Sequence, residues 1–279
     1  MLKAIRARAK QGYRTMRYPA GDPPPLPARF RGLPAIDVAR CAAAEPAREG
    51  ASCDACLVAC PTKALVLTGS PPATLALDVG ACLFCGECER ACPGGAIAFT
   101  RDYRLSTNTR EALVLRSEGA GAPTRSTSDA DNYARAESMG RELRRLLGRS
   151  LKLREVSAGG CNACEADVNV LGTVGWDLGR FGIQFVASPR HADGILVTGP
   201  VTKNMELALK KTWDAIPGPK VAIAVGSCAI SGGPYVGSPE ILGGLGSTEI
   251  PVDLWVPGCP PHPLTILDGL LRLIGRVKG

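Results

Sequence analysis

Residues 82–93 read CLFCGECERACP, four cysteines spaced C-x2-C-x2-C-x3-C with a proline directly after the last one. Residues 53–61, CDACLVACP, repeat the last three cysteines and the proline, but Gly50 stands where the first cysteine would fall. The repeat continues past the proline, since Cys60-Pro-Thr-Lys-Ala-Leu65 recurs as Cys92-Pro-Gly-Gly-Ala-Ile97. This duplication predicts two pseudo-symmetric halves, each a short helix and a strand around a metal site.

The cysteine spacing is typical of iron–sulfur ligation. In proteins with two such runs, the last cysteine of each run ligates the other cluster. One cluster therefore takes four ligands, Cys60, Cys82, Cys85 and Cys88, and the other is left with three, Cys53, Cys56 and Cys92. Structural zinc on paired C-x-x-C motifs is the alternative. Zinc does not explain the proline after each run or the cross-paired repeat.

The missing fourth ligand is assigned to Cys41, the remaining upstream cysteine. The stretch AAAEPAREGAS (42–52) is then an insertion between the first and second ligands. Stretching that gap from two residues to eleven costs about 1.5 kcal/mol of loop-closure entropy, which is small beside a metal–thiolate bond. A three-iron cluster on three cysteines is the alternative.

From Leu151 onward, apolar strands alternate with helices. The expected strands are LKLREV (151–156), IQFVA (183–187), GILVTG (194–199), KVAIAVG (220–226) and VDLWVPG (252–258), and the expected helices are 203–216 and 263–275. This rhythm predicts a parallel, doubly wound α/β sheet. Ligands of such sheets lie beyond the carboxyl ends of the strands. The last four cysteines fall there: Cys161, Cys164, Cys228 and Cys259. They suit a third 4Fe-4S cluster, and buried apolar cysteines are the alternative.

The composition predicts four segments. Residues 1–40 form a basic, Pro-rich arm, expected to strap across a partner subunit or to lie on a membrane surface. Residues 41–116 form an α+β domain with two clusters, and 117–131 form a linker. Residues 132–279 form the α/β domain with one cluster, beginning with a helix at 132–148.

Several function classes are disfavoured. The net charge is +7, but the 33 Lys and Arg are interleaved with 26 acids and only five Phe are present, so nucleic-acid binding is not expected. Neither a signal-peptide pattern nor an apolar run of about 20 residues is found, which predicts a cytoplasmic chain with reduced thiols. No G-x-G-x-x-G follows the first strand of the sheet, so nucleotide binding is unsupported.

The second half closely resembles the small, iron–sulfur subunit of the membrane-bound group 4 NiFe hydrogenases, a family related to the N2-cluster subunit of respiratory complex I. The stretches that carry the resemblance are GGCNACEADVNVL (159–171), FGIQFVASPRHADGILVTGPVT (181–202), GSCAISGGPY (226–235) and VPGCPPHP (256–263). The first half resembles the two-cluster ferredoxin subunit of the same complexes, including LPARFRGLP (26–34). The resemblance implies a two-cluster ferredoxin domain fused to a flavodoxin-like domain.

The resemblance also implies a function. The chain would be a non-catalytic subunit carrying electrons from a donor protein to a NiFe centre in a partner large subunit. Membrane-arm subunits would hold the complex at the cytoplasmic membrane. The spacing of Cys161 and Cys164 is the hydrogenase form, because complex I members carry two adjacent cysteines there. The alternatives are a complex-I-like quinone oxidoreductase without nickel and, outside redox chemistry, a structural metal-binding scaffold.

Four other features complete the sequence-based expectations. Many relatives carry Glu three positions after the second cysteine, where this chain has Asp167, and here Glu165 directly follows that cysteine. These acids are candidates for a proton relay, or for acids favoured by a helix N-terminus. His262 and His191 are not expected to be ligands, since every cluster position is filled. Gly232 and Gly233 are expected to allow close backbone approach near a cluster.

Overall fold

The computed structural model describes residues 2–41, 53–68, 74–116 and 135–277. The expected insertion (42–52) and the expected linker (117–131) therefore lie outside the described residues. Up to residue 116, the helices are α1 (Leu2–Gln11), α2 (Ala55–Ala59) and α3 (Glu87–Ala91), and the strands are β1 (Pro34–Ile36), β2 (Leu65–Thr68), β3 (Thr74–Asp78), β4 (Ile97–Phe99) and β5 (Val114–Arg116).

The N-terminal part is an α+β unit with two small antiparallel sheets. One pairs β1 with β4, and the other has the order β2-β3-β5. The two cysteine runs each supply a one-turn helix followed by a strand, α2 with β2 and α3 with β4. The helices α2 and α3 contact each other, as expected for a duplicated unit.

The C-terminal part contains α4 (Arg141–Leu147), β6 (Leu151–Ser157), α5 (Ala163–Val170), β7 (Ile183–Phe185), β8 (Gly194–Thr198), α6 (Lys203–Asp214), β9 (Val221–Val225), α7 (Ser227–Ser231), β10 (Leu254–Val256) and α8 (Pro263–Leu273). Its five strands are parallel, in the order β10-β9-β8-β6-β7. Counted from the other edge, this is the flavodoxin order 2-1-3-4-5. The expected doubly wound sheet is confirmed.

Alternation along the central strands separates two apolar faces. In β8, Ile195 and Val197 join one core, whereas Leu196 joins the other. Every residue of β8 and β9 is buried, as expected for parallel strands covered on both sides. The core that includes Ile195 continues into the N-terminal unit through residues such as Leu77 and Ile97. The two cysteine-bearing parts therefore pack directly on each other.

The helix expected at 132–148 is shorter in the structure. It begins at Arg141, and residues 135–140 are not helical. Their backbone bonds to distant segments instead: Ala136 N donates to Ser106 O at 2.6 Å, and Met139 N donates to Leu273 O at 2.9 Å. These bonds and the burial of both side chains outweigh a modest helix preference, so the segment is not helical.

The N-terminal segment lies on the chain's own C-terminal part. Helix α1 has no buried residue, but beyond it the Arg180 guanidinium donates to the carbonyls of Met16 and Tyr18, each at 2.7 Å. Arg101 holds the Pro-rich stretch through the carbonyl of Leu26 at 2.6 Å. Across the described ranges, the helices are all too short or too polar to cross a bilayer.

Candidate metal centres

The first cysteine quartet lines a pocket within the N-terminal unit. Its lining includes all four cysteines expected for the first cluster, Cys41, Cys53, Cys56 and Cys92. Burial, with a smaller contribution from the Cys41, Cys92 and Cys53 thiols, raises the pKa of Cys56 to about 11. The structure thus brings Cys41 to the three cysteines that lack a partner in the sequence motif.

The second quartet lines a separate pocket, and its members are Cys60, Cys82, Cys85 and Cys88. The rule that crosses the last cysteine of each run to the other site is thus reproduced by the fold: Cys60 meets the second run, and Cys92 meets the first. Burial raises the pKa of Cys82 to about 12 and that of Cys88 to about 11.

The sequence repeat is also a repeat of backbone geometry. Cys60 follows α2 at φ −80°, ψ 114°, and Cys92 follows α3 at φ −75°, ψ 111°. Three residues later, Lys63 and Gly95 both adopt a positive φ, 53° and 60°. These turns aim the next backbone N–H at the sulfur: Ala64 N donates to Cys60 Sγ and Ala96 N to Cys92 Sγ, each at 3.2 Å. Hydrogen bonds to sulfur are one of the means by which proteins tune iron–sulfur clusters.

The third quartet is built at the carboxyl ends of the large sheet's strands. Cys161 and Cys164 follow β6, Cys228 follows β9 and Cys259 follows β10. Burial raises the pKa of Cys164, and the charges of nearby groups raise it further, in the order Cys228, Glu165, Cys259 and Cys161. Cys161 and Cys259 are exposed, so this quartet lies at the surface of the chain.

The donor chemistry of all three quartets fits a metal–sulfur centre. A thiolate is the form that binds metal. Burial raises the pKa of at least one thiol in every quartet, and a bound cation would favour the charged form there. Over the residues that the structure describes, no three His, Cys, Asp or Glu side chains gather closely enough to share a single metal ion. The cysteines of the first two quartets instead line a space, which suits a cluster of several atoms.

The second and third quartets meet across the junction of the two parts. Ser227, directly before Cys228, donates from its hydroxyl to the carbonyl of Cys82 at 2.6 Å. Burial raises the pKa of Cys259, and the charges of Cys161 and then Cys85 raise it further. A member of the second quartet is therefore close enough to influence a member of the third.

Glu165 is buried beside the third quartet. Its Oε1 accepts hydrogen bonds from Ser157 Oγ at 2.6 Å and Thr198 Oγ1 at 2.7 Å, and 6% of the residue is exposed. Glu155, on the neighbouring strand β6, has a pKa raised to about 7 by burial and then by the charge of Glu165. Asp167 lines another pocket with Cys259, and burial raises its pKa.

Of the two histidines, His262 lies near the third quartet, since it lines the pocket that also contains Cys259. His262 is the N-cap of α8, where its Nδ1 accepts from Leu264 N at 3.1 Å. His191 is exposed in a short turn. A methyl group at Gly233 would lie 2.9 Å from Cys228 Sγ, so close approach to the third quartet does require a glycine there. At Gly232 the nearest atoms belong to Ile241, Gly243 and Val236 instead.

Sequence reasoning missed three hydroxyls of this region, Ser157, Thr198 and Ser227. Each stands at the carboxyl end of a strand or just beyond it, which is the edge where the cysteines were expected. That position was a usable signal. The partners of Thr198 and Ser227 were not predictable, because their acceptor atoms belong to residues 33 and 145 positions away in sequence.

Comparison with known proteins identifies both parts. Residues 161–273 match the family model described as NADH ubiquinone oxidoreductase, 20 kDa subunit, and residues 51–96 match a 4Fe-4S dicluster domain. Over 142 residues, the chain is 40% identical to the probable membrane-bound hydrogenase subunit mbhJ of Pyrococcus furiosus, covering 50% of this chain and 84% of that protein. The chain belongs to the 20 kDa subunit family.

Two further relatives come from different oxidoreductase complexes. An NADH-quinone oxidoreductase subunit of Clostridium beijerinckii is 44% identical over 42% of this chain and 70% of its own length. Formate hydrogenlyase subunit 7 of Escherichia coli is 39% identical over 50% of this chain and 55% of its own length. The expected resemblance is confirmed for both parts. The chain is an iron–sulfur electron-transfer subunit of the hydrogenase and complex I type of oxidoreductase.

Proposed function

We propose that the chain holds three 4Fe-4S clusters and wires an electron donor to a NiFe centre in a partner large subunit. The ligand sets are Cys41, Cys53, Cys56 and Cys92 for the first cluster, Cys60, Cys82, Cys85 and Cys88 for the second, and Cys161, Cys164, Cys228 and Cys259 for the third. When bound, the clusters supply one-electron carriers whose potentials respond to hydrogen bonds and exposure.

The observation that carries this proposal is the grouping of all twelve cysteines into three neighbourhoods of four. All twelve are free thiols. Cys41 stands before the stretch that matches the dicluster family, and its place in the first pocket supports its assignment as the fourth ligand.

The partner large subunit would face the third quartet. Cys161 and Cys259 are exposed at that edge, and a chain that delivers electrons to another subunit needs its terminal site near the surface. Membrane-arm subunits and a donor protein complete the proposed assembly, peripheral to the cytoplasmic membrane. The relatives named for membrane-bound hydrogenase and formate hydrogenlyase support this assignment.

Glu165 and Asp167 are proposed as proton-relay groups toward the partner. Glu165 is buried beside Cys164 and accepts hydrogen bonds from two hydroxyls, those of Ser157 and Thr198. Ser157 is exposed, so it connects the buried carboxylate to the surface. Asp167 lies in the open pocket that also contains Cys259.

A second candidate is an iron–sulfur subunit of a quinone oxidoreductase without nickel. It is favoured by the 44% identity to an NADH-quinone oxidoreductase subunit. The C-x-x-C spacing of Cys161 and Cys164, the hydrogenase form, speaks for the first candidate.

Metal analysis of the anaerobically purified complex separates these candidates. Three clusters require about twelve irons per copy of this chain, with nickel in the partner only for the hydrogenase. A complex with full iron and no nickel supports the second candidate. About eight irons in this chain would remove one assigned cluster, and zinc in place of iron would overturn the proposal.

A further inference from the structure

The junction between the second and third quartets contains one buried hydroxyl that touches both. Ser227 opens α7 directly before Cys228, and 1% of the residue is exposed. Its Oγ lies 2.6 Å from the Cys82 carbonyl oxygen and 3.1 Å from that of Gly258, the residue before Cys259. A single side chain, directly before Cys228, thus contacts the backbone of a second-quartet cysteine and the backbone of the residue before a third-quartet cysteine, Cys259.

The third-quartet side of this link does not depend on the hydroxyl. Ser227 N donates to Gly258 O at 2.8 Å, and Gly226 N donates to Val256 O at 2.9 Å. Backbone bonds therefore already fix Ser227 relative to the loop that carries Cys259. What the hydroxyl adds is the short bond to Cys82 in the other part of the molecule.

Cys82 is itself held tightly. Phe84 N donates to its sulfur at 3.3 Å, and Cys82 N donates to Val79 O at 3.3 Å. The same loop packs against α7, because a methyl group at Gly80 would lie 2.7 Å from Ile230 Cγ2. A shift at the Cys82 carbonyl would therefore move the sulfur that the second cluster needs.

We propose that Ser227 is a positioning residue that fixes the separation of the second and third clusters and so sets the rate of electron transfer between them. This inference rests on the proposed function, since it needs both clusters to be present. Tunnelling falls steeply with separation, so a small loosening of this junction slows transfer even when each cluster is intact. No proton moves and no covalent bond changes at Ser227; a single electron leaves one site and arrives at the other.

The test compares Ser227→Ala with Ser231→Ala in the assembled complex. Ser231 lies one turn further along α7, and its hydroxyl donates mainly within the helix, to Ser227 O at 3.0 Å, with a longer contact of 3.4 Å to Gly80 O. Both variants remove one hydroxyl facing the same loop. Only Ser227→Ala removes the short bond to Cys82.

Three measurements are made on each protein: iron content, the magnetic splitting between the two clusters in the reduced state, and the rate of electron equilibration after flash reduction. We expect Ser227→Ala to keep its iron, to show a weakened splitting and to equilibrate several-fold more slowly. Ser231→Ala should match the unmodified protein, and Ser227→Thr, which keeps a hydroxyl, should restore both signals.

Unchanged splitting and rate in Ser227→Ala would overturn the proposal. Loss of iron from the third site would also overturn it, because the hydroxyl would then be needed to build the site. Failure of the proposed function is distinguishable, since it would show as fewer than three clusters in the unmodified protein.

Discussion

The Tyr18 hydroxyl donates a 2.6 Å hydrogen bond to Asp268 Oδ1, although 250 residues separate the two in sequence. The other oxygen of Asp268 accepts from Arg272 Nε at 2.8 Å. All three side chains are buried, with exposures of 5%, 1% and 3%. This network fastens the N-terminal segment to α8, the closing helix of the parallel sheet.

Replacing Tyr18 by Phe should loosen that fastening. The substitution keeps the ring in the core but deprives a buried carboxylate of one donor. A hydrogen bond to a charged group contributes about 1.5–3 kcal/mol, so the free energy of unfolding should fall by that amount. Denaturant unfolding of the cluster-loaded chain measures the change, and limited proteolysis should cut sooner between Gly12 and Leu33.

Tyr13→Phe is the matched control, because Tyr13 is 86% exposed on the same segment. That variant should behave like the unmodified chain in both assays. Equal stability of Tyr18→Phe and Tyr13→Phe would show that the network does not hold the segment.

The parallel sheet and the cysteine quartets were predictable because their signals are local. The apolar runs of β8 and β9 and the spacing of the cysteines are visible in short windows of sequence. The fixed geometry of a parallel sheet then brings the ends of β6, β9 and β10 to one edge. Topology converts local patterns into a site.

The contacts that join distant segments left no such signal. The sequence around Tyr18 does not predict its hydrogen bond to Asp268, and the sequence around Ser227 does not predict its hydrogen bond to the Cys82 carbonyl. Residues 135–140 were expected to be helical because only their local preference was visible, whereas the partners of Ala136 and Met139 are Ser106 and Leu273. At these positions, hydrogen bonds between distant segments determine the structure.

Glu155 should make stability depend on pH. Its pKa rises from 4.5 to about 7 on folding, because burial and then the charge of Glu165 disfavour ionisation. The folded state therefore binds the proton more tightly than the unfolded chain. The stability from this group is fully present below pH 4.5. It falls as pH rises to about 7 and is constant above that value.

Glu155→Gln should therefore stabilise the protein more at pH 8 than at pH 5. Thermal unfolding of the cluster-loaded chain at both pH values gives the comparison. Glu142→Gln, an exposed replacement on α4, should leave the melting temperature unchanged at either pH. An equal effect of Glu155→Gln at pH 5 and pH 8 would show that its carboxyl does not titrate in this range.

Glu165→Gln separates the two interpretations of that acid. The amide oxygen can still accept from Ser157 and Thr198, so the local geometry is kept while proton transfer is lost. A relay role predicts that turnover by the assembled complex falls about a hundredfold or more, with iron content and cluster reduction unchanged. Normal turnover would leave a structural role, for which the expected loss is about 0.3–1 kcal/mol of stability.

Glu206→Gln is the control for that experiment. Glu206 occupies the first turn of α6 as Glu165 does that of α5, but it is exposed and far from the cysteines in sequence. Glu206→Gln should lower the stability by no more than the contribution of an acid at a helix N-terminus, and it should not change turnover.

Cys41→Ser should damage the first cluster alone. Cys41 lines the first pocket with Cys53, Cys56 and Cys92, whereas the second pocket is lined by a different set of four cysteines. The altered site should become a three-iron cluster or be lost, and the second cluster should keep about four irons. Electron paramagnetic resonance of the oxidised protein reports a three-iron signal directly.

Shortening the insertion is the control for Cys41→Ser. Deleting part of residues 42–52 while keeping Cys41 retains the ligand. The shorter loop has a smaller entropic cost of closure, so iron content and spectra should not change. A deletion that removes the first cluster would mean that the insertion itself builds the site. Unchanged iron and spectra in Cys41→Ser would show instead that the fourth ligand lies elsewhere, and Cys41 would have to be removed from the first ligand set.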